Sequence, residues 1–290
     1  LQDVEAAADV YLYANDQIAG LVAGNGLARL GGEAEEYVKS SNEEGIVNSV
    51  TIDDKVYGIP FTTNTWFMFY DKSVFSEEDI KSLDTMLEKG KVAFPLNNSW
   101  YIASFYLANG GTMFGEDGTD EAAGINFGGE KGVETTNYLV DLINNPNFVV
   151  DRDGVGISGL ADGNINAVFS GSWDAVAIQG HLGENFGAAQ LPTVNIGGSP
   201  KQLLSFGGTK AVGVNPNAEH MDVAVAFAQW LARPEAQQAH YDLRNVVPVH
   251  NDLLADDSMS DNLVVKAQND TMANTSFYQP FVPAMNDYWT

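Results

Sequence analysis

Cysteine is absent from this 290-residue chain, and basic residues are scarce: 14 Lys and Arg stand against 39 Asp and Glu, a formal net charge of −25. Without cysteine there are no disulfides, no thiol nucleophile and no thiolate-ligated zinc, although the compartment stays open. Only 4 histidines are present, scattered along the chain, which leaves little for imidazole-based metal chemistry. The shortage of positive charge excludes a nucleic-acid binder, because phosphate backbones require a basic face, and it argues against docking on anionic lipid. No run approaches the roughly 18 apolar residues that cross a bilayer. A Walker A loop, an H-E-x-x-H pair and a G-x-S-x-G elbow are also lacking, so phosphoryl transfer, zinc hydrolysis and serine hydrolysis have no local signal.

What is present describes a globular protein. Hydrophobic residues make up 44% and charged residues 18%, too apolar for a disordered chain. The length suits about two domains. The acidic excess reads as a solvated surface, with a halophile-like surface as one version of it; as a pocket for a cation it requires carboxylates clustered facing inward.

The first nine residues contain no initiator methionine and no signal-peptide pattern. They read as the end of a helix entering a strand at Val10-Tyr11-Leu12-Tyr13, in a mature or trimmed portion of a longer product. Spacing then predicts a small-residue helix near Ile18 to Asn25. A hairpin is expected through Asp53-Asp54-Lys55, between Val50-Thr51-Ile52 and Val56-Tyr57-Gly58-Ile59. The run from Trp66 to Tyr70 reads as a buried strand, with its aromatics in the core. Ser76, followed by Glu77, Glu78 and Asp79, reads as a helix start. Val92-Ala93-Phe94, Ile165 to Phe169 and Ala211 to Val214 read as further strands. A helix is expected from Glu130 to Ile143, where Val133, Leu139, Val140, Leu142 and Ile143 cluster. Another is expected from Met221 to Leu231, with Val223, Ala224, Phe227, Ala228 and Leu231 on one face, and Pro234 opens the next. Strands alternating with helices imply an α/β protein with largely parallel sheets. No repeat or Gly/Ser linker separates two domains, which suggests lobes that share the chain through several crossings.

Two glycine-rich or acidic patterns carry little. Gly154-Val155-Gly156-Ile157-Ser158-Gly159 matches the dinucleotide fingerprint, but polar Asp151-Arg152-Asp153 precedes it where a buried strand belongs. The same stretch resembles a calcium loop through Asp151, Asp153 and Asp162, yet Val155 occupies an oxygen-ligand position and the last residue is not a bidentate Glu. Both readings yield to a surface loop.

The aromatics say more. Tyr13 precedes Ala14-Asn15-Asp16, Trp100-Tyr101 follows Asn97-Asn98-Ser99, Trp173 sits in Ser170-Gly171-Ser172-Trp173-Asp174, and Tyr288-Trp289 follows Asn286-Asp287. Rings at loop edges, flanked by amides and carboxylates, are what a carbohydrate pocket requires: sugar C–H faces stack on the ring while hydroxyls pair with Asp, Asn and Gln. From the residues alone, any one of these rings also reads as ordinary core.

The order of these motifs resembles a known family. Asp9-Val10-Tyr11-Leu12-Tyr13-Ala14-Asn15-Asp16, Tyr57-Gly58-Ile59-Pro60 and Phe69-Tyr70-Asp71-Lys72 are followed by Asn109-Gly110-Gly111, Phe169-Ser170-Gly171-Ser172-Trp173, Leu191-Pro192, Gly207-Gly208-Thr209, Ala226-Phe227, Pro234-Glu235 and Val282-Pro283 with Trp289. Over essentially the whole chain this resembles the extracellular solute-binding proteins of ABC sugar importers (family 1), closest to the maltose/maltodextrin-binding branch. The resemblance implies an α/β, two-lobed periplasmic-binding-protein-like fold of type II, with the ligand cleft between lobes. It implies lobe 1 over 1–62, lobe 2 over 63–205, a return to lobe 1 over 206–255 and lobe 2 again over 256–290. Relative to that fold, the chain lacks the opening βαβ segment and the closing helices.

The resemblance also assigns a site. Tyr13, Trp100, Trp173 and Trp289 fall where the family's sugar-stacking aromatics lie, and Asp16 matches its cleft carboxylate. Gln17 stands where an arginine is common, and Asn64 and Asn98 where glutamates are common. The amides keep hydrogen bonding but lose the charge-assisted bonds; Asn64 also fits a hinge-capping role. The expected function is the substrate-binding subunit of an ABC importer that captures an oligosaccharide, of the maltose/maltodextrin α-glucan type, and meets a membrane permease. No catalysis, metal or cofactor is expected, and no nucleic acid. The expected state is a monomer, at a periplasmic location or as a cell-surface lipoprotein. The rivals are a binder of another oligosaccharide, a binder of a cationic solute such as a polyamine, and a glycoside-active enzyme, for which 39 acids always supply some carboxylate pair.

Overall fold

In the computed structural model, which describes residues 4–289, the buried apolar residues gather into two separate cores. The chain divides accordingly: one unit comprises Leu1–Asn64, Gly207–Asp261 and Gln279–Thr290, the second Thr65–Phe206 and Asn262–Tyr278. It passes from one to the other after residues 64, 206, 261 and 278. The assignment of 256–290 whole to lobe 2 is corrected, since only Asn262–Tyr278 lies there. Beyond it the chain rejoins the first unit, where the Gln279 N–H donates to the Gly207 carbonyl at 3.4 Å and Phe281 packs against that unit's core.

The first unit is organised by the strand Ser205–Val214, buried along nine of its ten residues, Lys210 being the half-buried exception. Val10–Ala14 pairs antiparallel along one edge, Val10 opposite Val214 and Ala14 opposite Lys210. Ile59–Asn64 pairs antiparallel along the other, Val212 opposite Ile59 and Gly208 opposite Asn64, with a register irregularity between Lys210 and Ala211. The hairpin of Thr51–Ile52 and Lys55–Val56 turns at Asp53 and Asp54, both left-handed with φ of 49° and 59°, as a two-residue turn between twisted strands demands. The expected helix end before Val10 is absent over residues 4–9, which form turns; residues 1–3 lie outside the described residues.

The helix Met221–Ala232 packs on strands Val10–Ala14 and Ile59–Asn64 with part of the expected face: Ala224 and Ala228 are buried and Leu231 packs on the core, but Val223 and Phe227 point out. Ala224, Ala228 and Ala232, four residues apart, are buried, while Val223, Phe227 and Trp230 are 61%, 48% and 54% exposed. Small side chains let the helix lie close to the sheet, and the guanidinium of Arg233 covers Trp230 at 4.0 Å.

The second unit holds a five-stranded sheet in the order Phe186–Ala189, Phe67–Asp71, Ala167–Ser170, Val92–Phe94, Phe148–Val150. Its first two pairings are antiparallel and its last two parallel. Largely parallel sheets are therefore not found among the described residues: Val10–Ala14 and Ile59–Asn64 both run antiparallel to Ser205–Val214, and this sheet is mixed. Trp66, Phe67, Met68 and Phe69 are fully buried, as a central strand covered on both faces requires. The helix Gly129–Asn144 buries Leu139 and Leu142 together with Gly132 and Thr135, but leaves Val133, Val140 and Ile143 exposed.

Ser76 does not start a full helix. Its hydroxyl and N–H both donate to Asp79 Oδ2, at 2.7 and 2.9 Å, and close the single turn Asp79–Lys81. The chain then extends at Ser82 (φ −136°, ψ 124°), which bridges Thr193, and the helix Leu83–Lys89 begins there under a Ser82 cap. The glycine-rich motif is likewise structural. Gly154 is left-handed (φ 79°) at the start of Val155–Ala161, and Asp151 Oδ1 accepts the Gly156 N–H at 2.9 Å. Among the described residues no group of acids and histidines could hold a metal ion, and no helix is long and apolar enough to cross a membrane.

Candidate functional site

In the second unit the strand Ala167–Ser170 leads through Gly171 into the turn Ser172–Asp174, which carries Trp173. A Cβ on Gly171 would lie 2.1 Å from the Trp173 ring, so glycine lets the indole fold over the backbone before it. The helix Ser99–Ala108 is capped by Asn98, whose Oδ1 accepts the Trp100 N–H at 2.9 Å. This fixed first turn brings Trp100 onto Trp173, with centroids 6.0 Å apart and planes at 26°. Tyr101 meets Trp100 edge-on at 5.4 Å and lies against the buried Trp66 at 4.8 Å. Behind the pair, the Ser170 hydroxyl donates to Asp174 Oδ2. Burial first, and then the charge of Asp174, push the Tyr101 phenol far above its usual range, so it stays neutral. Two half-buried indoles thus stand on a rigid aromatic base, with the exposed Asn98 at their edge. The Asn98 carbonyl serves the cap.

In the first unit the strand Val10–Ala14 runs into the single turn Asn15–Gln17. Asn15 Oδ1 accepts the Thr209 N–H at 2.9 Å, and its amide fills the space a side chain at Gly208 would need, 2.0 Å from that Cβ. This pins the turn on the central strand and sets Asp16 and Gln17 at the end of the sheet. Asn64 ends its strand opposite Gly208. From the far end of the sequence, Gln279 lies beside the Asp16 carboxylate, and the helix Met285–Tyr288, followed by Trp289, packs on the same turn. Asp16, Gln17, Asn64 and Trp289 therefore share one neighbourhood.

That neighbourhood holds polar atoms the fold leaves unused. Asp16 Oδ1 and Asn15 Nδ2 are buried without a hydrogen-bond partner in the protein. Each such group costs about 1–3 kcal/mol, so the two together call for a polar ligand or ordered water. Burial raises the Asp16 carboxyl above its usual range, opposed by its own backbone, Gln279 and the charge of Lys210. Lys210 is pushed down by burial.

Tyr13 does not join the site. Strand alternation turns it into the first unit's core, 3% exposed, with its ring against Gly58 and Gly213, while Leu12 faces out. A ring so enclosed offers no face to a sugar. Sequence reasoning passed over Asn15, Lys210 and Gln279. A lysine between Gly207-Gly208-Thr209 and Ala211-Val212 was a visible signal, a charge inside an otherwise buried strand; Gln279 carried none.

A two-unit α/β chain that passes repeatedly between its units, with aromatics and amides collected at strand ends, defines a solute-binding protein of the periplasmic type. Residues 2–267 match the bacterial extracellular solute-binding proteins, and the chain belongs to that family. It is 25% identical to the galactooligosaccharide-binding protein of Bacillus subtilis (strain 168), across 97% of this chain and 69% of that one. It is 26% identical to the maltodextrin-binding protein MdxE of the same organism, across 98% and 70%. A solved structure with acarbose matches at a TM-score of 0.96 and 51% identity, covering 99% of this chain and 76% of that one.

Proposed function

We propose that this protein captures an oligosaccharide, of the maltodextrin α-glucan type, and presents it to the permease of an ABC importer. The observation that carries the reading is the Trp100–Trp173 pair on its buried aromatic base. Sugar rings stack on such faces through their C–H groups, and the unused polar atoms around Asp16 supply hydroxyl partners. Relatives named for maltodextrin and galactooligosaccharide, and a similar structure with acarbose, support the same ligand class. The galactooligosaccharide relative makes that sugar the second reading. The site is proposed to consist of Asp16, Gln17, Asn64, Asn98, Trp100, Trp173 and Trp289, acting in a monomer outside the cytoplasm, free or lipid-anchored.

No bond is made or broken in this reading. Calorimetric titration with maltose through maltoheptaose, galactooligosaccharides, acarbose and spermidine, followed by chromatography of the recovered ligand, tests it. Saturable heat with the α-glucans, and ligand returned intact, is expected. Heat with spermidine alone, weakening steeply with salt, would establish the polyamine reading, and shortened glucans would establish an enzyme.

A further inference from the structure

Lys210 stands out as a charge placed where the strand would otherwise be buried throughout. It lies opposite Ala14 on one side and Thr62 on the other, and the register breaks immediately after it. Such irregularities re-aim a side chain and cluster beside functional sites. Ala14 leads directly into the turn holding Asp16, and that turn is pinned to Thr209, the residue before Lys210, by Asn15. We propose that Lys210 is a positioning residue for ligand binding: turned toward Asp16 by the strand irregularity, its ammonium adds a counter-charge to the hydrogen bonds that favour the ionised carboxylate, so that the buried Oδ1 accepts a ligand hydroxyl.

The inference rests on the oligosaccharide reading of the same site and goes beyond it by naming what sets the charge of that site. Only 14 basic residues exist in the chain, and Lys210 acts on Asp16 while Arg244 acts in turn on Lys210. The other titratable groups on elements packed against the turn are Asp287 and Tyr288 of the helix Met285–Tyr288. Tyr288 is raised to about 12 by burial and is uncharged. Burial favours the neutral form of both Asp16 and Lys210, and their mutual attraction favours the charged form of both. Removing the lysine takes away one of the groups that oppose burial, the turn's own backbone and Gln279 remaining, so Asp16 takes up its proton at a higher pH.

The test compares wild type, Lys210→Met, Lys210→Arg and Asp16→Asn, each checked for folding by circular dichroism. Maltotetraose affinity is measured between pH 4.5 and 8, and carbon NMR follows the Asp16 carboxyl in ligand-free protein. In Lys210→Met both the acid limb of affinity and the NMR midpoint are expected at higher pH than in wild type, with the arginine variant close to wild type and Asp16→Asn weak and flat with pH. Unmoved midpoints in folded Lys210→Met would overturn the pairing. Folded wild type that binds no sugar would overturn the ligand role and the oligosaccharide reading together, and the NMR midpoints would then decide the pairing alone.

Discussion

Trp173 and Asp16 stand at two ends of residue-level legibility. Trp173 could be singled out because Ser170-Gly171-Ser172 before it is no place for a core indole, and the structure gives the reason in the Gly171 backbone under the ring. Tyr13 had the same kind of neighbours but lies in the core, because the alternation of the strand Val10–Ala14, set by pairing with Ser205–Val214, decides which way it points. Local context cannot report a register fixed two hundred residues away. Trp173→Ala removes a large desolvated anchor and is expected to weaken α-glucan binding by about 2 kcal/mol, ~30-fold. Calorimetry checks this, and an unchanged affinity in the folded variant would remove Trp173 from the site. Asn98→Ala loses a helix cap, expected to cost about 1 kcal/mol in denaturant unfolding, so any loss of affinity must be read beside that loss of stability.

At the scale of elements, positions of strands and helices were legible where apolar runs and caps coincide, as in Phe67–Asp71, Val92–Phe94 and Gly129–Asn144. Their faces were harder. The helix Met221–Ala232 shows why: of its expected face Ala224 and Ala228 are buried and Leu231 packs on the core, yet Val223 and Phe227 point out and Ala232 is buried in their stead. Close approach to a sheet favours the smallest side chains, a packing constraint that a periodicity count weighs the wrong way. Ala228→Leu is therefore expected to destabilise the protein by about 1–3 kcal/mol through overpacking, while Phe227→Gln stays within about 0.5 kcal/mol. Urea unfolding of the two variants decides, and the reverse order would restore the hydrophobic face. Sheet direction was missed for a related reason, since strand–helix alternation along the chain does not fix partners when the chain crosses between units four times.

For the whole molecule, the net charge of −25 is the dominant long-range feature. The 14 Lys and Arg are too few to match the 39 acids, and among the described residues ion pairs such as Lys81–Glu78 join exposed side chains and are worth little. Self-repulsion of this size is screened over about 10 Å at 0.1 M salt. Thermal stability should therefore rise as sodium chloride increases from low to moderate concentration, followed by calorimetric melting, whereas stacking of a neutral sugar should barely respond. A melting temperature that falls over that range would mean ion pairing outweighs repulsion. Length and the missing linker pointed to two lobes that share the chain, but where the chain crosses was legible only through the resemblance; the return of Gln279 to the first unit depends on a backbone bond and the packing of Phe281, neither of which has a local signal.

The most direct measurement is an intrinsic tryptophan fluorescence titration with maltose through maltoheptaose beside unrelated neutral oligosaccharides. With Trp100 and Trp173 paired at 6.0 Å in the proposed site, stacking should shift the emission. The account predicts a saturable change with the α-glucans that is lost in Trp173→Ala. A flat response from folded protein across the whole panel would contradict it.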